Sequence, residues 1–158
     1  MGSQQKRIMR HIEERYGSEP EHLWAQYPDY AVYRHSASRK WYAAFLMVPR
    51  DKLGLEGTDP VCVLDLKCSP LMIGSLLSEK GFRPAYHMNK NHWISVLMDG
   101  SVADDQIFSL LEFSYDSAAP KPRKKDELPD HRPPAFPNSF ALYFGAITFS
   151  RYRSLPHL

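Results

Sequence analysis

Cysteine is scarce: the 158 residues contain two, Cys62 and Cys68. If both lie on one extended strand, the six-residue separation at about 3.3 Å per residue puts them about 20 Å apart, beyond the reach of a disulfide. They read as two small buried hydrophobes, and the lack of a disulfide framework fits a reducing compartment. Long apolar runs are absent as well. No window of 18 consecutive apolar residues occurs, so no membrane span is expected. The first residues, MGSQQKRIMRHIEERYG, lack the apolar centre of a secretory signal, and the expected location is cytoplasmic. Catalytic loops are missing too. Gly54-x-x-Gly57 is too short for a phosphate loop, and Gly74-Ser75 falls inside a helical pattern rather than a nucleophile elbow. Cys68 precedes a helix start, where a thiolate would be favoured, with His87 or His92 as the nearest thing to a base. Nothing in the sequence places these groups together. The expectation is a protein that is not an enzyme and needs no cofactor.

Strong charge of one sign is lacking. The net charge is +2, but residues 119–158 hold Lys121, Arg123, Lys124, Lys125, Arg132, Arg151 and Arg153 against Asp126, Glu127 and Asp130. Residues 1–118 are therefore left at −2, which counts against a strongly basic nucleic-acid binder.

What is present is ordinary globular composition, 43% hydrophobic and 24% charged, in a chain long enough for one domain with a core. Residues 4–16 predict a helix, with Ile8, Ile12 and Tyr16 at four-residue spacing and Gly17 as the stop. After Trp24, Tyr27 and a turn at Pro28-Asp29, the segments YAVYRH (30–35) and KWYAAFLMV (40–48) form a hairpin pattern. PVCVLDLK (60–67) alternates, with Cys62, Leu64 and Leu66 on one face and Val63, Asp65 and Lys67 on the other, as in a half-buried strand. SPLMIGSLLSEKG (69–81) predicts a helix with Ser69 as N-cap, Pro70 at its first position and Gly81 as C-cap, its apolar face being Ile73, Leu76 and Leu77. FRPAYHM and NHWISVLM form a second hairpin. SVADDQIFSLLEFSYD (101–116) opens with Ser101-x-x-Asp104, close to a capping box, and places Ile107, Leu110, Leu111 and Ser114 on one face. Helix, three strands, helix, two strands, helix is an α+β class, with a mostly antiparallel sheet packed by helices. The domain expected is 1–118. Residues 119–158 form a Pro-rich basic tail, expected to be extended or disordered, with an apolar segment at 139–149.

The segments YPDYAVYRH, KWYA, VPRDKLGL, LDLKCSPLMIGSL, GFRPAYHMNKNHWISVLMDGSV and IFSLLEFSYD, in that order, resemble the MmcQ/YjbR family over residues 4–117. The resemblance implies a CyaY-like, secretion-chaperone-like α+β topology. It also implies DNA binding, a label resting on fold analogy, and it carries over no catalytic motif.

Two site readings follow from the hairpins. With a two-residue turn at Asn89-Lys90, His87 opposes His92 and Tyr86 opposes Trp93, and Asn89 suits a positive φ. Two opposed histidines are half a metal site; His35, Cys68 and Asp65 are the further ligands to weigh, but no paired Cys/His motif is present and no metal site is expected. For DNA, Arg34, Arg39, Lys40 and Trp41 flank the first turn, and Asn89, Lys90, Asn91 and His92 form the second, with Arg50, Lys52 and Lys67 joining them. Cations would meet phosphates and aromatics would stack on bases. The leading expectation is weak DNA binding through the hairpin tips. The alternative is a protein- or peptide-binding module that grips an extended partner along a sheet edge. The oligomeric expectation is a monomer or weak homodimer.

Overall fold

A computed structural model describes residues 2–121, so the expectations for 139–149 and most of the tail lie outside the described residues. The order is α1 (Ser3–Tyr16), β1 (Ala31–Arg34), β2 (Trp41–Pro49), a short 3-10 turn (Arg50–Leu53), β3 (Pro60–Lys67), α2 (Pro70–Leu76), β4 (Phe82–Pro84), β5 (Trp93–Leu97) and α3 (Asp104–Ala118). The five strands form one sheet in the order β1-β2-β3-β5-β4, with every neighbouring pair antiparallel. The α+β class and the element order expected from the sequence are those observed.

One face of the sheet carries the helices. Ile8 and Ile12 of α1, Ile73 and Leu76 of α2, and Ile107, Leu110 and Leu111 of α3 pack with Phe45, Leu64, Leu66, Phe82, Ile94 and Val96 of the strands. The four-residue spacing of α1 and the i, i+3, i+4 spacing of α3 put these side chains on single faces, as predicted. Full burial of one Leu or Ile contributes roughly 1.5–3 kcal/mol, so this layer supplies most of the apolar stabilisation. Gly17 ends α1 in the left-handed region at φ 59°, its N–H donating to the Glu13 carbonyl.

Ser114 of α3 does more than fill space. Between Tyr33 and Arg34 the β1–β2 register shifts, leaving Tyr42 as the extra residue of a bulge, and Tyr42 and Ala43 both face the helices. The β2–β3 ladder accordingly begins at Ala43 and Leu66, one step short of Tyr42 and Lys67. The Ser114 hydroxyl sits in that gap, accepting from the Lys67 N–H at 2.8 Å and donating to the Tyr42 carbonyl. Ser114→Ala leaves two buried backbone groups without this bridge, and the expected loss is about 1–3 kcal/mol by urea unfolding. Unchanged stability would show that the ladder simply closes on itself.

Several sequence expectations are corrected. β3 is not half-buried: Val63 and Asp65, expected on an outer face, are fully buried. α2 stops at Leu76, with Ser69 capping the Leu71 N–H as expected, but Gly81 lies in the turn before β4 rather than at a C-cap, and Leu77 is partly exposed. α3 starts at Asp104, and its N-cap position falls on Ala103, which has no side-chain acceptor, so the helix lacks a side-chain cap; the Ser101 hydroxyl, two residues earlier, donates to Asp99. Cys68 is buried, and burial raises its thiol rather than favouring a thiolate. Both cysteines are free. No helix among the described residues is long and apolar enough to cross a membrane.

Candidate functional site

Among the described residues, no helix lies over the second face of the sheet. Val32, Ala44, Leu46, Val48, Val63 and Leu97 form its apolar floor, and the described residues packed on it include Trp24 and Tyr30 from one side, Trp41 from the start of β2, Leu53 and Leu55 from the 3-10 turn and the loop after it, and Tyr86 and Met88 from the β4–β5 loop. Between these covers lies a groove of about 660 Å³. Its lining includes Trp24, Tyr27, Asp29, Tyr30, Trp41, Leu46, Tyr86, His87 and Met88, and it takes in both ends of β2, Trp41 and Pro49. A volume of this size lies within the usual range of ligand sites.

The aromatic wall is held from several directions. Glu21 makes a two-hydrogen-bond bridge with Val32, which docks the 21–30 segment on the outer edge of β1. Successive turns follow, with the Tyr27 N–H donating to the Trp24 carbonyl and the Tyr30 N–H to the Tyr27 carbonyl, both at 3.0 Å. The Tyr30 hydroxyl donates across to the Met47 carbonyl at 3.0 Å. Tyr27 stacks on Tyr30 at 4.8 Å between centroids, Tyr30 meets Trp24 edge-on at 6.0 Å, and Trp24 meets Trp41 edge-on at 5.9 Å. On the opposite wall the Tyr86 N–H donates to the Ser95 hydroxyl at 3.3 Å, and the next residue, His87, adopts φ 59°.

Buried on the same sheet face is a carboxyl group. Asp65 pairs across the ladder with Ser95, whose hydroxyl donates to its Oδ1, while Oδ2 has no hydrogen-bond partner among the described residues. Burial pushes the Asp65 carboxyl up from the usual value near 3.8 to about 7, against the lowering by the Ser95 hydrogen bond. Near the end of the sheet, Lys67 lies over the Trp93 ring at 5.5 Å and Arg34 over the Trp41 ring at 5.5 Å. Burial lowers the Lys67 pKa, helped by the nearby Lys40 charge.

The residues expected to meet DNA are thus divided among different environments. Arg34 and Arg39 both pair with Glu21, at 2.9 and 2.8 Å, so two of the cations share one carboxylate. Arg50 donates to the Glu56 carbonyl and holds its own loop, and Lys52 lies 3.7 Å from Asp51. These two follow the far end of β2, at the opposite end of the sheet from the hairpin tips. Trp41 belongs to the groove. Lys40 and Lys67, with the Asn89-Lys90-Asn91 loop, stay at the hairpin end, because the β1–β2 turn, the end of β3 and the β4–β5 loop all leave the sheet there.

The second hairpin differs from its predicted register. Phe82 pairs with Val96, Arg83 with Ser95 and Pro84 with Ile94, one residue away from the expected alignment, and the loop spans 85–92. Phe82, Ile94 and Val96 all belong to the helix-side core, and sharing that face fixes the register. The turn lies at 89–92, with the Asn89 side chain accepting from the Asn91 N–H and its carbonyl from the His92 N–H. Positive φ falls on His87, not Asn89. His87 and His92 are therefore not opposed, and Tyr86 contacts His87 rather than Trp93. Among the described residues no group of three His, Cys, Asp or Glu side chains is placed to hold a metal ion.

Sequence reasoning missed most of the groove. Its one legible signal was Trp24-x-x-Tyr27-x-x-Tyr30, three aromatics at three-residue spacing in a segment without strand alternation. Asp65 falls on the polar side of the alternating pattern in 60–67, so the sequence gives no warning of its burial.

Relatives agree with this architecture. The chain is 38% identical over 108 residues to the uncharacterized protein YyaQ of Bacillus subtilis (strain 168), covering 68% of this chain and 92% of that protein. It is 41% identical over 56 residues to the uncharacterized protein YjbR of Escherichia coli (strain K12), covering 35% of this chain and 48% of that protein. A Pseudomonas syringae protein known from a crystal structure superposes with a TM-score of 0.70 at 43% identity, over 75% of this chain and all of that one. A Deinococcus radiodurans protein, at a TM-score of 0.50 and 22% identity over 70% of this chain and 72% of that one, shares the fold alone. The family model described as YjbR matches residues 14–117, and the chain belongs to the YjbR family.

Proposed function

We propose that this chain is a binding module that takes an extended segment of a protein partner in the aromatic groove on the sheet face opposite α1, α2 and α3. The observation that supports this most is the groove itself: five aromatic side chains, Trp24, Tyr27, Tyr30, Trp41 and Tyr86, line one concave site of about 660 Å³. Aromatic residues of this kind dominate the energetics of protein interfaces. Strand addition at a sheet edge has less support. The outer edge of β1 already pairs with Glu21, and β4 is three residues long and ends in Pro84. The test is selection of displayed random decapeptides on the immobilised full chain. Enrichment on the wild type that falls at least tenfold on Trp24→Ala is expected; equal recovery on both proteins would sink the reading.

DNA binding is the second reading, favoured by the convergence of both hairpin loops at one end of the sheet with Lys40, Lys67 and Lys90. Three phosphate contacts would make affinity fall about 40-fold between 50 and 200 mM salt. A duplex titration checks this, and binding should be lost when Lys40, Lys67 and Lys90 are changed to Glu. No binding by the intact chain at low salt would remove DNA from consideration.

A further inference from the structure

We infer that the segment taken by the groove is proline-rich and basic, held as a polyproline II helix with an arginine or lysine beside its prolines. This rests on the peptide-binding role proposed above and adds the chemistry of the ligand. The position of the groove limits the ligand first. It lies on a sheet face, where the strand backbone groups are already committed to the ladders. A ligand here gains no strand pairing, so its own backbone must be comfortable in water. A polyproline II helix meets that condition: it has no internal hydrogen bonds and a solvated backbone, and its ordering entropy is low before binding.

The wall is the second consideration. Tyr27, Tyr30, Trp24 and Trp41 form an unbroken series of ring contacts at 4.8, 6.0 and 5.9 Å. One of these contacts is stacked and two are edge-on, so the rings brace one another into a rigid wall; aromatic-lined grooves are a recurring means of polyproline recognition. Charge supplies the third. Among the described residues, Asp29 is the one carboxylate in the lining, and no lysine or arginine is part of it. A cationic side chain would therefore meet a carboxylate and the ring faces that Arg34, seated over Trp41, leaves open. The guanidinium of Arg34, 5.5 Å above the Trp41 ring, shows that an aromatic ring of this wall already receives that chemistry.

Three capped peptides test the inference against the full chain by tryptophan fluorescence titration: (Pro-Pro-Arg)3, (Pro-Pro-Gln)3 and (Ala-Ala-Arg)3. The first is expected to bind, the second at least fivefold more weakly, and the third at least tenfold more weakly. Asp29→Asn, an exposed change, should bring the first two peptides to within twofold of each other while leaving the neutral one unaffected. Equal binding of all three, preference for (Ala-Ala-Arg)3, or an arginine preference untouched by Asp29→Asn would overturn the inference. Failure of all three peptides, with the random-peptide selection still dependent on Trp24, would overturn the proline-rich chemistry and leave the binding role standing. Failure of that selection as well would remove both.

Discussion

Asp65→Asn is expected to stabilise the domain at pH 8 by about 4 kcal/mol and to have little effect at pH 4. Asp65 is fully buried, its Oδ2 has no partner among the described residues, and its carboxyl is pushed up to about 7. In the unfolded chain the same group ionises near 3.8. Between those values the folded state binds more protons than the unfolded state, so stability falls as pH rises from about 4 through 7. A shift of about three units at 1.36 kcal/mol each gives the total of about 4 kcal/mol, all of it lost above pH 7. Asparagine mimics the neutral carboxyl and removes this dependence. Urea unfolding of the wild type and the variant at half-unit steps from pH 4 to 8 checks the sign and the window. A wild-type curve that rises across the interval, or parallel curves for the two proteins, would show that Asp65 finds a compensating partner.

Gly81→Ala should destabilise by about 2–5 kcal/mol, although the change adds one methyl group. Gly81 adopts φ 92° and its carbonyl accepts the Leu97 N–H at 2.8 Å, so its backbone helps to set the start of the β4–β5 pairing. A Cβ there would lie 2.5 Å from the Ser101 Oγ and 2.5 Å from the Val102 Cγ2. Ser101 is only partly buried and its hydroxyl has room to move, but Val102 is locked in the helix-side core. The left-handed conformation costs roughly 1–2 kcal/mol for a residue with a Cβ, and overpacking costs about 1–3 kcal/mol more. Gly74→Ala is the matched control. It lies inside α2 with nothing within 4 Å of the added methyl, and should gain up to about 1 kcal/mol. Urea midpoints that move in opposite directions are the expected outcome. A Gly81→Ala protein as stable as the wild type would mean that the turn can re-form with negative φ.

Elements bound by local rules were legible from the sequence. The Ile8–Ile12 spacing and Gly17 defined α1 to within a residue, Ser69-Pro70 marked the start of α2, and Ile107, Leu110, Leu111 and Ser114 named the buried face of α3. Features set by distant contacts were not. The β4–β5 register depends on Phe82, Ile94 and Val96 sharing the helix-side core, which no turn motif encodes. The Asn89-Lys90 pair suggested a two-residue turn, whereas the chain makes its positive-φ residue at His87 and an Asn89-capped turn afterwards. The groove escaped notice for a related reason. Its aromatics come from a loop, a strand and a second loop, brought together by the Glu21–Val32 bridge and the Tyr30–Met47 hydrogen bond. Charge was misread in the same way, since the sequence counts Arg34 and Arg39 as free cations and cannot show that both turn to Glu21.

The same separation decides between the two functional readings. A nucleic-acid surface would use the hairpin end, through Lys40, Lys67 and Lys90, where the Glu21 carboxylate already offsets two arginines. A peptide site would use the face opposite the three helices, through rings that hold one another in place. Assigned amide and indole NMR spectra of the full chain, recorded while the best selected peptide is titrated in, locate the contact directly. Shifts concentrated in residues 24–30, 41–47 and 86–88 are expected for partner binding in the aromatic groove. Shifts confined to 39–40, 67 and 89–91, or spread over the helices, would contradict it.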